Sequence, residues 1–452
     1  MYINETDSET ALIFKELNIK SAEELFKSIP EEFLEKTSEK LNRPLSESEI
    51  KKEIYAAEKN IFQGLSFAGY GLYEHFVPEV INHLSSLRPF VTSYTPYQPE
   101  AAQGTLQALF EYQSLMAGLT SMDIANASLY DGATALVEAI RMAVRNCKKK
   151  DKKIVLISDG IHPVYHKVLE TYFPESYQKE LEISIKKVPL DKKDGNTIWE
   201  NFSSNAADVL AVAYQQPNCY GIFEENQCLI AKTYPEAQIL YGTNEPLSLT
   251  VLPAPSDIGA HVVWGEAQSL GIPVSFGGPS LGFIAAKSEY MRQMPGRLVG
   301  KTTAETPFGE ETEAYVIALS TREQHIRREK ATSNICSNQT LVALRAAIYM
   351  AHSGWEGMRK TAVDCVKNAD YLKKELLKIK SIEILFHEAV NFHEITWTHQ
   401  NIDQIIQNSY EDEIAPGVEN MHEGKKYLIS YVSEEKSEGE INRLIEIIRK
   451  FS

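Results

Sequence analysis

The chain has 452 residues, of which 43% are hydrophobic and 24% charged, the composition of a globular protein of two or three domains. Its net charge of −16 argues against a nucleic-acid or anionic-membrane surface as its main partner. No apolar run approaches the roughly 18–20 residues that span a bilayer, and the opening MYINETDSETALIF carries early acids without the basic stretch of a signal or transit peptide.

Residues 1–60 are rich in Glu, Lys and Leu. They predict an N-terminal arm of short amphipathic helices broken at Pro30 and Pro44, the third opened by a capping box in SESE, 46–49. From residue 61 the texture changes, with glycines and aromatics in SFAGYGLYEHFVP. VTSYTPYQPEAAQG, 91–104, then sets Tyr94, Thr95 and Tyr97 among Pro96 and Pro99. The prolines exclude a helix interior and a regular strand. The segment is a stiff loop that either presents its tyrosines to a substrate or partner or merely covers the core.

GTLQALFEYQSLMAGLT and GATALVEAIRMAVRNCKKK have helical spacing. KIVLISD, VLAVAYQQ, AQILYG, AHVVWG and LGFIAAK are short apolar strands alternating with helices. That alternation predicts a large α/β domain over 61–330 with a mainly parallel sheet. After it come a long helical stretch from Thr340, strands in IEILFH, FHEITWT and KKYLISYV, and a closing helix in GEINRLIEIIRKF. These predict a smaller α+β domain over 331–452. Cys147, Cys219, Cys228, Cys336 and Cys365 form no CxxC pair, which fits reduced thiols in a cytoplasmic protein. No short stretch has zinc-ligand spacing.

Five stretches, YTPYQPEAAQGTLQALFEYQ, DIANASLYDGATALVEA, LGIPVSFGGPSLGF, MPGRLVG and TREQHIRREKATSNICSNQ, occur in that order. Together they resemble the glycine cleavage system P-protein family, and within it the first subunit of the split form. The resemblance covers nearly the whole chain. It implies a fold-type I architecture of pyridoxal phosphate (PLP) enzymes. It also implies a cytoplasmic heterotetramer that decarboxylates glycine and passes the aminomethyl group to the lipoyl arm of H-protein.

A PLP enzyme needs a Schiff-base lysine, an acid for the pyridine nitrogen, backbone donors for the phosphate and usually a stacking ring. Gly132, Ala133 and Thr134 open a helix and offer an anion cradle, although Asp131 equally reads as a cap that would repel a phosphate. His162 follows KIVLISD, where a stacking ring belongs. Glu245 follows AQILYG, where the acid belongs, or is a solvated strand-end acid. These residues, with Gln268, are expected to converge as the remnant of a cofactor site.

The lysine is missing. AHVVWG is followed by Glu266, Ala267 and Gln268, and no lysine occurs between Lys232 and Lys287. The resemblance therefore implies that PLP is carried by a second, lysine-bearing subunit and that none is covalently bound here. Tyr94, Thr95 and Tyr97 are candidates to enter that subunit's site, with Arg322 beside them. The run Arg322, His325, Arg327, Arg328, Lys330 either meets an anion at the shared site or pairs with internal acids such as Glu323 and Glu329. Arg297 lies on a Pro–Gly turn at the expected rim of the substrate tunnel. Three functions stay open: a subunit catalytic only in complex, a structural subunit that docks H-protein, and an independent PLP enzyme.

Overall fold

The computed structural model describes residues 6–33, 43–91, 95–148, 153–200, 202, 205–306, 308–335 and 338–451. The chain forms two compact units that divide between Gln63 and Gly64. In the first, helices Asp7–Glu16 and Glu47–Glu58 each open on a capping box, Thr6 with Glu9 and Ser46 with Glu49. Neither helix has a buried residue.

The second unit is built on a seven-stranded sheet. Its strands are β1 (Ile124–Ala125), β2 (Ile154–Ser158), β3 (Ser184–Val188), β4 (Val209–Gln215), β5 (Gln238–Thr243), β6 (Val262–Glu266) and β7 (Gly282–Ala286). Their order across the sheet is β1-β7-β6-β5-β4-β2-β3. β2 to β6 are parallel, while β7 runs antiparallel to both neighbours. Every residue of β4 is buried, as expected of a parallel strand covered on both faces. The helix Gln103–Thr120 and the start of a long helix, Thr340–Leu377, pack one face. Gly132–Asn146 and Pro163–Tyr172 pack the other.

At the sheet centre only glycine fits. A Cβ on Gly265 would lie 2.0 Å from the Thr243 carbonyl oxygen, and one on Gly242 would lie 2.2 Å from the Trp264 ring. The Trp264 indole thus fills the space left beside β5.

The long helix kinks at Gly354, whose φ is +61°. Val342 to Tyr349 pack on the large sheet, whereas Ala369, Leu372 and Leu376 enter a separate core. That core lies on a four-stranded antiparallel sheet of Glu383–Ile384, Glu394–Thr398, Lys425–Tyr431 and Val418–His422. Leu65–Ser66 pairs with Ile414–Ala415, and Phe67 is buried in the same core, so this unit's chain starts beside its C-terminal sheet. No helix among the described residues is long and apolar enough to cross a membrane.

Candidate functional site

Ligands of open α/β sheets bind outside the carboxyl ends of parallel strands. In this sheet that edge carries His162 after β2, Glu245 after β5, Glu266 to Ser269 at the end of β6, and Asp131 at the start of the helix Gly132–Asn146. Lys287 follows the antiparallel β7 and therefore lies at the opposite edge.

The helix start is occupied by acids. Thr134 donates its backbone N–H to Asp131 Oδ1 at 2.7 Å, closing a capping box. Gly132 donates its N–H to Glu266 Oε2 at 3.1 Å. The other Glu266 oxygen accepts from the backbone of Leu281 at 2.6 Å and of Gln268 at 3.1 Å. Burial pushes the Glu266 carboxyl up to about 7, against the pull of the Leu281 and Gly132 N–H groups. A Cβ on Gly132 would meet the Tyr165 hydroxyl at 2.4 Å. The space over the anion cradle thus already holds a carboxyl and a phenol.

His162 is buried and caps the helix Pro163–Tyr172. Burial lowers its pKa to about 4, leaving the ring neutral. Its ring centroid lies 4.3 Å from that of Tyr70, and its Nε2 lies 3.2 Å from the Tyr70 carbonyl. Gln268 brackets Tyr73, accepting its N–H at 3.0 Å and donating to its carbonyl at 3.1 Å. Glu245 Oε2 lies 3.0 Å from His75 Nε2 and 3.5 Å from His393 Nε2. Glu245 Oε1 accepts from Ser269 at 2.7 Å and from Leu247 N–H at 3.0 Å. Glu245 is therefore fully buried, not a solvated strand-end acid.

His75 faces a second carboxylate through Nδ1, 2.7 Å from Glu434 Oε2. With both carboxyls ionised, each accepts an N–H from the ring, which is then an imidazolium. Burial opposes that charge, but Tyr431, Glu245 and Cys365 hold the pKa well above the ordinary value. Burial likewise opposes charge on Glu245, which His75 and His393 hold well below the usual carboxylate range. His75, Glu245 and His393 bring three potential metal ligands within 4.8 Å, as do His75, Cys365 and Glu434. Both groups share the His75 ring, which lies between the Glu245 and Glu434 carboxyls.

The sequence pointed to Gly132, Thr134, His162, Glu245 and Gln268, and the structure links them through Glu266 and residues 70–75. Tyr70 meets His162, the Tyr73 backbone meets Gln268, and His75 meets Glu245. Only the unusual density of glycine and aromatics in SFAGYGLYEHFVP signalled that segment.

A second cluster lies where three of the quoted motifs meet. Tyr94 lies outside the described residues. Thr95 is partly buried, while Tyr97 is 55% exposed. The Tyr97 ring lies 5.6 Å from the Arg297 guanidinium carbon and 5.7 Å from the His325 ring. Gln103 ties the loop down, donating to the Pro99 and Tyr315 carbonyls at 2.8 and 2.9 Å. Arg297 is buried and donates to Asn338 at 3.0 Å. Arg322 turns inward as well. It donates to the carbonyls of Met294, of Gly296 at 3.3 Å and of Leu319 at 3.2 Å. Its guanidinium closes the MPGR turn of its own chain.

The strand order and the single antiparallel strand are those of the fold-type I class of PLP-dependent enzymes. The same fold appears in a *Burkholderia pseudomallei* sphingosine-1-phosphate lyase, 11% identical with a TM-score of 0.64 over 91% of each chain. The sequence profile of the family described as "Glycine cleavage system P-protein" matches residues 1–448. The chain belongs to that family, among its subunit 1 members. It is 39% identical to the "Probable glycine dehydrogenase (decarboxylating) subunit 1" of *Aquifex aeolicus*, covering 99% of this chain and 100% of the relative. The protein of that description from *Moorella thermoacetica* is 38% identical, with 99% of each chain covered. A crystal structure of glycine decarboxylase (P-protein) in inhibitor-bound form superposes with a TM-score of 0.86, at 32% identity and over 100% of both chains.

Proposed function

We propose that the chain is the cofactor-free half of a glycine decarboxylase. In this reading a lysine-bearing second subunit carries PLP and decarboxylates glycine in the cytoplasm. The aminomethyl group then passes to the lipoyl group of H-protein. The single observation that carries the reading is the end of β6. Where a Schiff-base lysine is needed, the chain has Glu266, Ala267 and Gln268, and Glu266 spends its carboxyl on the Gly132 N–H. A phosphate there would face Glu266 and Asp131, and the pyridine-binding acid is already paired with His75. These residues do not fit PLP, so no step is assigned to it on this chain.

What the chain contributes is a stiff loop. Thr95 and Tyr97 sit on a turn fixed by Pro96, Pro99 and Gln103, so docking against the partner costs little ordering entropy. Tyr97 offers an apolar ring with a polar tip to the neighbouring site. A purely structural subunit is the second reading, favoured by the inward use of Arg322.

The test is glycine-dependent carbon dioxide exchange with lipoylated H-protein. The chain alone should show none, and adding the PLP-bearing subunit should restore it. Robust exchange by the chain alone, free of the other subunit, overturns the proposal.

A further inference from the structure

Fold-type I enzymes hold PLP at three points: a ring over the pyridine, an acid on its nitrogen and helix-start donors on its phosphate. In this chain an internal group meets each of them. Tyr70 lies against the His162 ring, tilted by 50° with centroids 4.3 Å apart. His75 sets an N–H on Glu245 at 3.0 Å. Glu266 takes the Gly132 N–H at 3.1 Å.

The correspondence is one of chemistry. An imidazolium N–H on a carboxylate is the same charge-assisted pair as a pyridinium N–H on one. An acidic oxygen at a helix start satisfies the donors a phosphate would take. The segment that delivers Tyr70 and His75 is held on both sides. Tyr70 and Gly71 take left-handed φ values of 65° and 96°. Glu394 accepts from Tyr70 N–H at 2.6 Å and from the Tyr73 hydroxyl at 3.1 Å, and Gln268 brackets the Tyr73 backbone. A tyrosine in that backbone conformation persists only where its surroundings fix it.

We infer that residues 70–75 and Glu266 form a built-in surrogate for the cofactor, holding this half of the fold in its ligand-bound geometry without a ligand. The inference rests on the reading that this half carries no PLP. Its consequence is a latent site. Removing the His75 ring leaves Glu245 and Glu434 facing a cavity shaped for a small aromatic cation with two N–H groups.

The experiment uses the full chain with His75→Gly. Its thermal midpoint should fall, and millimolar imidazole should restore most of the loss saturably while leaving the wild type unmoved. 1-Methylimidazole, whose cation has one N–H, should restore much less. Equal shifts in variant and wild type, or equal rescue by both compounds, overturn the surrogate.

If the variant does not fold, histidine ¹⁵N spectra of the wild-type chain decide. His75 is faced by Glu245, Glu434, Cys365, Tyr431 and His393. Both its nitrogens should carry protons at neutral pH, and a single protonated nitrogen overturns the proposal. Failed rescue with intact exchange in the reconstituted enzyme sinks the surrogate alone. Exchange by the isolated chain sinks the functional reading instead.

Discussion

At the scale of single residues, similar side chains divide by where their polar atoms go. Arg322 spends its guanidinium on three carbonyls of its own chain. Arg322→Ala should therefore cost about 2–3 kcal/mol of stability, the worth of charged hydrogen bonds, read by urea unfolding of the isolated chain. Tyr97 is half exposed, and phenylalanine keeps the ring that meets Arg297 and His325 while removing only the hydroxyl. Tyr97→Phe should leave stability within about 0.5 kcal/mol and lower the exchange rate of the assembled enzyme while the complex persists. Loss of complex and rate in parallel would favour the structural subunit.

Glu394 is a different case. Burial raises its carboxyl to about 7 from 4.5, against the pull of the Tyr70 N–H. A raised acid favours its neutral form when folded, so its stabilising contribution is complete below pH 4.5 and is lost as pH rises through about 7. Glu394→Gln abolishes that titration. Relative to wild type the variant should gain up to about 3 kcal/mol between acidic and mildly alkaline pH, measured by paired urea titrations. An unchanged difference across that range would refute the shift.

At the scale of elements, packing decides what a residue costs. Gly265 lies between β5 and the Phe283 ring of β7, with no room for a methyl against the Thr243 carbonyl. Gly265→Ala should destabilise by about 3 kcal/mol or prevent folding, and a loss below about 0.5 kcal/mol on denaturant unfolding would show that the strands part easily. The strands that the sequence revealed are those buried on both faces, such as VLAVAYQ, because continuous apolar runs have no other use in a chain of this charge. β3 was not legible. SIKKV is an edge strand with two lysines, and only its last residue is buried. The hairpin Leu298–Glu305 with Glu311–Ala318 was hidden for the same reason, since most of its residues stay in contact with solvent. IEILFH read as a strand, yet the strand ends at Ile384, because Phe386 breaks the extended backbone at a φ of 56° while its ring stays buried.

The candidate site was legible where strand ends set it. His162, Glu245 and Gln268 follow apolar strands, so their order alone places them on one edge. His75, His393 and Glu394 were not legible. They arrive from residues 70–75 and from the C-terminal sheet, and the partners of the His75–Glu434 pair stand 359 positions apart. Nothing in local spacing encodes such a contact.

At the scale of the whole molecule, the proposed reading requires a surface that another subunit covers. The loop between β6 and β7 lies at the carboxyl edge, and Phe276 on it is 92% exposed. Single exposed apolar residues are ordinary, but Phe276 also takes a φ of 58° directly after Ser275 at 43°. A bulky residue in the left-handed region is strained. Glycine would relieve that strain and lose some chain entropy in return. Phe276→Gly should therefore leave the isolated chain's stability within about 1 kcal/mol. An aromatic anchor buried in an obligate interface is worth more than its share of area. Losing it should weaken association with the PLP-bearing subunit at least about tenfold, or about 1.4 kcal/mol. Titration calorimetry or sedimentation of the mixed subunits measures both sides of the comparison. Unchanged affinity would place the interface elsewhere on the carboxyl edge. A large stability loss in the isolated chain would mean that Phe276 serves its own fold.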